Sequence, residues 1–388
     1  MARIIDLADE ILEMIFLQHL LREPELDAAL EKEICFEAWT KKAMFITKCT
    51  TKQCNTIARL ILTCKRFHLL LQDFLYSNIT IATSPEQLAQ FTRTLAESPN
   101  ADELRAQTDT VTTLCRSAFE VWPLFWFPYV NSLQLIRFND WSPLEFEDND
   151  HYHTSTVENL YLIDCGASEG ALTELFHWPK ELKSLHYEVE PGEWSGQVGG
   201  EDLREWECVA FVRALSSQKT SLERLVMTRT PLVHEGLSYS KSINLSAFSG
   251  LKFLSIFHVF WVGFGWANVE ELYSGLPPAL EELEVFYDDP GYHDFMSGVD
   301  QPWLTTLLED KRKEYVPKLK RIEVLTSEVP YVDEPYVPEE RLPNGLSVKE
   351  DELVKAWKVP EVLRKQAERT GIELNIVIAY MSPDFSKI

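Results

Sequence analysis

Apolar residues recur along this chain in the order apolar-x-x-apolar-x-apolar, most plainly at Leu280-Glu-Glu-Leu283-Glu-Val285. Six further copies begin at Val130, Val157, Leu182, Leu222, Leu251 and Leu319. Each ends in an alternating pair: Leu133 and Leu135, Leu160 and Leu162, Leu185 and Tyr187, Leu225 and Met227, Leu254 and Ile256, Leu283 and Val285, Ile322 and Val324. A period of two turns both members to the same face of a short strand, so seven strands are predicted. Helical spacing fills most of the intervals, legibly at 170–178, 201–218, 266–276 and 301–315. In the last of these Trp303, Leu304, Leu307 and Leu308 form the apolar stripe.

Successive copies start 27, 25, 40, 29, 29 and 39 residues apart. The steps cluster at the period of leucine-rich repeats, with two longer units. A single unit cannot bury its apolar face, whereas a stack can. The expected fold class is therefore α/β, with an irregular leucine-rich-repeat solenoid, or horseshoe, over residues 81–388. Asp109 to Arg116 reads as a strand leading into the stack, with Val111 and Leu114 as a partial repeat. Residues 86–97 read as a helix started at Ser84-Pro85. The four prolines between Pro330 and Asn344 imply a surface loop. Beyond it, 350–370 reads as a helix broken at Pro360. Ile372, Leu374, Ile376, Ile378 and Tyr380 alternate as a closing strand that caps the stack.

Two amphipathic helical segments precede the repeats. In residues 4–20, Leu7, Ile11, Leu12, Ile15 and Phe16 recur at helical spacing behind the N-cap candidate Asp6. Residues 57–76 repeat the pattern with Ile57, Leu60, Ile61, Cys64, Phe67, Leu70, Leu71, Phe74 and Leu75. Helices this apolar need a partner surface. Leu7-Ala-Asp-Glu10-Ile11-Leu12-x-x-Ile15-Phe16, followed by Thr63-Cys64-Lys65-Arg66-Phe67 and Leu75-Tyr76-x-x-Ile79-x-Ile81, resembles an F-box across the first 80 residues. Two departures stand out: the usual Leu-Pro opening is Leu7-Ala8, and residues 21–56 form an insert. The resemblance implies docking onto the adaptor subunit of an SCF-type cullin ubiquitin ligase, through it to a cullin, and a substrate-receptor role for the repeats. It places Leu7, Ile11, Leu12, Ile15, Phe16, Leu62, Cys64 and Phe67 on the family's apolar pattern, divided between adaptor contact and the module's own core. The other reading is a ligase-independent scaffold in which the same helices cap the repeats.

Charge narrows the partners. The net charge is -24, yet residues 1–80 are nearly balanced, so the acidity belongs to the repeats. Such a field repels nucleic acid and attracts basic protein surfaces. Residues 38–72 carry seven basic side chains and no acidic one, which suits steering toward an acidic adaptor or simply a solvated helix face. Asp6, Asp9, Glu10 and Glu13 interrupt the first apolar run and argue against a secretory signal. Seven scattered cysteines without a Cys-x-x-Cys pair fit reduced thiols, so a cytoplasmic or nuclear location is expected. Phe253 to Val269 lacks Asp, Glu, Lys and Arg, but its polar interruptions read as a strand plus an aromatic loop rather than a membrane span.

Catalytic signatures are absent: there is no phosphate-binding Gly-rich loop, Gly-x-Ser-x-Gly elbow or His-Glu-x-x-His. Glu147 to His153 gathers acids beside His151 and His153, and Cys35, Cys49 and Cys54 gather thiols; both lack metal-site spacing. No catalytic role, cofactor or metal is expected of the chain. In a leucine-rich horseshoe the residues flanking the inward positions face the concave side. That rule aligns Arg224, Val226 and Thr228 with Phe253, Ser255 and Phe257 and with Glu282, Glu284 and Phe286. Beyond the fifth strand, Phe260, Trp261, Phe264 and Trp266 crowd one short loop. Phe257, Trp261, Phe264, Phe286 and Glu284 are therefore the expected substrate contacts, for a basic and apolar peptide. The competing expectation is that these rings fill the space between repeats.

Overall fold

The computed structural model describes scattered residues between 59 and 93, then, with small gaps, 108–140, 149–189, 206–229, 237–238, 243–262, 273–287, 302–326 and 358–378. Twelve strands lie among them. Ten form one sheet: β1 (Asn78–Ile81), β2 (Thr110–Leu114), β3 (Ser132–Ile136), β4 (Asn159–Cys165), β5 (Ser184–Val189), β7 (Arg224–Arg229), β9 (Phe253–Phe257), β10 (Glu282–Tyr287), β11 (Arg321–Thr326) and β12 (Glu373–Ile378). β6 (Trp206–Glu207) pairs with β8 (Leu237–Ser238) in a separate ribbon. In the large sheet the spatial order is the chain order, and every pairing is parallel. The architecture is thus α/β with one all-parallel sheet, consistent with a leucine-rich-repeat-like strand array.

All seven predicted copies become strands, and their inward positions fall in register. Leu133, Leu160, Leu185, Leu225, Leu254, Leu283 and Ile322 follow one another as neighbours across the sheet. These seven side chains, and the second inward row from Leu135 to Val324, are fully buried. The first residue of each copy is buried as well, Val130, Leu182, Leu222, Leu251 and Leu280 completely. Each Leu or Ile removed from water in these rows contributes about 2 kcal/mol, so stacking holds the array together.

Beyond the copies the outcome is mixed. β2 joins the array, but Thr113 and not Leu114 takes the second inward place, facing Leu135 at zero exposure. β1 pairs with β2 and buries Ile81, so the expected module boundary at residue 80 falls inside a strand of the sheet. At the other end β12 sets Leu374 and Ile376 beside Ile322 and Val324 and closes the described sheet, as expected.

Helices back the inward face. α1 (Ala118–Val121), α2 (Glu169–His177), α3 (Cys208–Ala214), α4 (His258–Val262), α5 (Pro302–Leu307) and α6 (Glu361–Thr370) follow the strands in turn. Ser168 caps α2 by accepting from the Ala171 N–H, and the buried Asp140 carboxylate accepts from Ala118 N–H at 2.9 Å. Trp303, Leu304, Leu307 and Leu308 are buried as their stripe predicts. Gly371 ends α6 in the left-handed conformation that glycine tolerates. Gln218, only 1% exposed, joins two units: its amide donates to the Phe176 and Pro179 carbonyls and accepts from Leu182 N–H and the Ser221 hydroxyl.

The residue preceding each strand performs a second task. Carbonyls of Asp109, Asn131, Glu158, Lys183, Glu223, Lys252 and Glu281 each accept two successive N–H groups from the next unit, at 2.7–3.2 Å. Their side chains then alternate in sign from Glu158 through Lys183, Glu223, Lys252 and Glu281 to Lys320. Close pairs form at Glu158–Lys183 (2.5 Å), Glu223–Lys252 (2.7 Å) and Glu281–Lys320 (2.6 Å).

Candidate binding face of the sheet

Residues between and beside the inward positions project to the opposite face of the sheet. The central row there runs Thr112, Gln134, Tyr161, His186, Val226, Ser255, Glu284, Glu323 and Asn375. One flanking row holds Arg224, Phe253, Glu282 and Arg321; the other holds Thr228, Phe257, Phe286 and Leu325. The expected alignment of the three strands is therefore observed, and Phe257 and Phe286 are neighbours with ring centroids 5.6 Å apart.

The exposure expected of the aromatic contacts is not observed. Phe257 and Trp261 are 1% exposed and Phe286 is 5% exposed. Phe257 meets Phe260 edge to face, and Trp261 meets the core ring of Trp303 at 5.2 Å. Trp261 lies in α4, directly after β9, where the chain has already turned toward the core. These rings fill space between units, the competing expectation, and do not offer a surface. Phe264 lies outside the described residues, and Glu284 remains half-buried on the binding face.

Charge is concentrated at one end of that face. Arg224 lays its guanidinium over the Phe253 ring, 3.5 Å from the centroid. Burial lowers the Arg224 pKa, while Glu284, Tyr161 and Glu282 favour its charge. Arg321 pairs with Glu323 and lies 3.9 Å from Glu282. Burial raises the Glu284 pKa, with Glu323 adding repulsion against the relief from Ser255, Arg224 and Arg321. Toward β5, burial and Arg224 push His186 down to about 4, keeping its ring neutral within 3.3 Å of the Thr228 hydroxyl. Burial and Asp164 push Glu188 up to about 7. Tyr161, His186, Arg321 and Glu323 were missed because the flank rule was applied to three strands only; extending it along every copy finds them.

No known protein family and no curated protein matches this chain. The candidate face consequently rests on geometry alone.

The N-terminal docking candidates Leu7, Ile11, Leu12, Ile15 and Phe16 lie outside the described residues, as do Cys35, Cys49 and Cys54. Leu62 is 85% exposed and Cys64 is exposed, whereas Phe67 is buried. Around the histidine run, His151 packs against Trp126 at 4.5 Å and His153 lies 5.8 Å from His177. Tyr152 donates to Glu174 at 2.5 Å, and burial with that bond pushes its phenol up to about 12. Among the described residues no three His, Cys, Asp or Glu side chains gather as metal ligands. Nor is any described helix long and apolar enough to cross a membrane.

Proposed function

We propose that this chain is a substrate receptor of an SCF-type cullin ubiquitin ligase, built as an F-box-like module followed by a leucine-rich-repeat solenoid. The module docks on the adaptor, and the charged face of the sheet holds a protein to be modified. The observation that carries the reading is the split within the second half of the F-box-like motif: Leu62 stands 85% exposed while Phe67, five residues on, is buried. An exposed apolar position five residues from a buried one matches the division between adaptor contact and module core that the F-box resemblance implies. In this reading the chain performs no chemistry; it raises the effective concentration of substrate lysines near a transfer site on another subunit.

Adaptor capture by the purified chain tests the reading. Leu62→Asp should abolish capture without changing the thermal unfolding temperature, because the side chain is already in water. Ile11→Asp should abolish it too. Failure of the unaltered chain to retain the adaptor would rule the reading out and favour a ligase-independent scaffold.

A further inference from the structure

His153 and His177 belong to consecutive repeat units, yet the fold ties their backbones together: His153 N–H donates to the His177 carbonyl at 2.7 Å. Two further bonds, Ser155 N–H to the Trp178 carbonyl (3.0 Å) and Lys180 N–H to the Ser155 carbonyl (2.9 Å), lace the same segment to the end of α2. His153 sits at φ 58°, in the left-handed region that few residues other than glycine adopt. Such strain persists where the surroundings over-determine it, and it gathers at binding sites. The two imidazoles are thereby held with ring centroids 5.8 Å apart. Each ring is also oriented by a backbone carbonyl. His177 Nδ1 lies 2.6 Å from the Thr173 oxygen, and His153 Nδ1 a longer 3.4 Å from that of Pro179. A carbonyl only accepts, so Nδ1 carries the proton of each neutral ring and Nε2 the lone pair. Neither Nε2 forms a hydrogen bond with a described residue. Nδ1–H on a carbonyl with Nε2 left bare is how metal-ligating histidines are held. With metal–nitrogen bonds of about 2.1 Å, two imidazoles on one tetrahedral ion keep their centroids about 5–6 Å apart, which the observed separation matches. His177 is the last residue of α2, where the helix dipole favours a cation, and Glu174, held by Tyr152, adds a carboxylate one turn back. His153 is exposed and His177 half-buried, so an ion can arrive from solvent.

We infer that His153 and His177 form an open site for one divalent transition-metal ion of the zinc and nickel class. The two Nε2 atoms ligate the ion, and because no third described His, Cys, Asp or Glu joins them, water completes its coordination. Imidazole nitrogens select such ions over magnesium and calcium, which take oxygen ligands. Spacing within the run from Glu147 to His153 does not reveal the site, because its second ligand lies 24 residues on and is brought alongside only by the stacking of units. The site requires neither the adaptor nor a protein substrate.

The test titrates the untagged full chain with zinc chloride and, separately, with magnesium chloride, read by isothermal calorimetry and by thermal unfolding. Zinc should bind and raise the unfolding temperature, and magnesium should do neither. His153→Asn keeps a residue that tolerates the left-handed backbone and His177→Gln keeps the length of the helix side chain. Each should lower the affinity of one zinc equivalent at least about tenfold while leaving the metal-free unfolding temperature unchanged. Sites elsewhere in the chain are common to every variant, so the reading is the loss of that single equivalent. His151→Gln, whose ring packs on Trp126, should keep it. If His177→Gln does not fold, the exposed His153→Asn decides alone. No zinc binding by the unaltered chain, an unaltered titration in His153→Asn, or an equal loss in His151→Gln would overturn the site.

Discussion

Replacing Gln218 by Ala should destabilise the middle of the array far more than its small volume suggests. The side chain makes four hydrogen bonds in a site closed to water. On truncation the Phe176 carbonyl keeps the Ser217 hydroxyl, and the Pro179 carbonyl keeps only a long 3.4 Å approach from His153. Leu182 N–H, at the buried start of a repeat, loses its acceptor altogether. One orphaned amide and one under-satisfied carbonyl, at about 1–3 kcal/mol each, give a loss of about 3 kcal/mol. Urea unfolding followed by circular dichroism measures the total. Hydrogen exchange should locate it, with protection falling over 176–185 and holding at β10 and β11. Gln218→Glu refines the test: its carboxylate still accepts from Leu182 N–H but repels the two carbonyls, so the loss should shrink as pH falls and the acid becomes a donor again. A loss under about 0.5 kcal/mol in Gln218→Ala, or unaltered exchange at 176–185, would refute the assignment of Gln218 as the tie between these units.

Other outcomes follow from the same geometry. His186 and Glu188 should tilt the pH profile of stability in opposite directions. The folded His186, held near 4 against 6.5 unfolded, loses stability as pH falls through that interval. The folded Glu188, held near 7 against 4.5, loses it as pH rises from 4.5 to 7. The slopes cancel between 4.5 and 6.5, so Glu188→Gln should leave a profile rising with pH there, and His186→Gln a falling one; an unchanged profile in either variant contradicts the burial argument. Gly250→Ala should cost about 2 kcal/mol, since the new methyl would meet the Thr220 carbonyl oxygen at 2.7 Å, and an unshifted denaturation midpoint would contradict that contact. Trp261→Ala should lower stability by about 3–5 kcal/mol, whereas Trp261→Phe should lose much less because the indole N–H has no partner to forfeit.

The strands were legible because their evidence is local and repeated. Leu283 and Val285 say little alone, but the same spacing seven times over fixes both strand and register, and the inward rows follow. Leu114 was misread since leucine is the more apolar candidate, whereas parity with Val111 and the pairing to Leu135 gives the place to Thr113. β1 was hidden because Ile79 and Ile81 also fit the end of the F-box-like motif. Trp261 failed as a surface residue for a different reason: glycines and aromatics after β9 suit either an exposed loop or an inward turn, and only the position of Trp303 decides between them. Paired carboxylates at 284 and 323 were readable in principle, being the same place in adjacent copies.

The alternating charges ahead of the strands bear on how such an array can lengthen. Removing the single unit from Glu223 to Leu251 would bring Lys183 against Lys252, and duplicating it would set Glu223 against its own copy. Removing the two units from Glu223 to Leu280 instead brings Lys183 against Glu281, and the alternation survives. Each exposed pair is worth at most about 1 kcal/mol, too little to hold the fold but enough to bias which changes are tolerated. The ladder thus works as a parity check: units can be gained or lost in twos at little electrostatic cost, while an odd change leaves a like-charged step that a further substitution must repair.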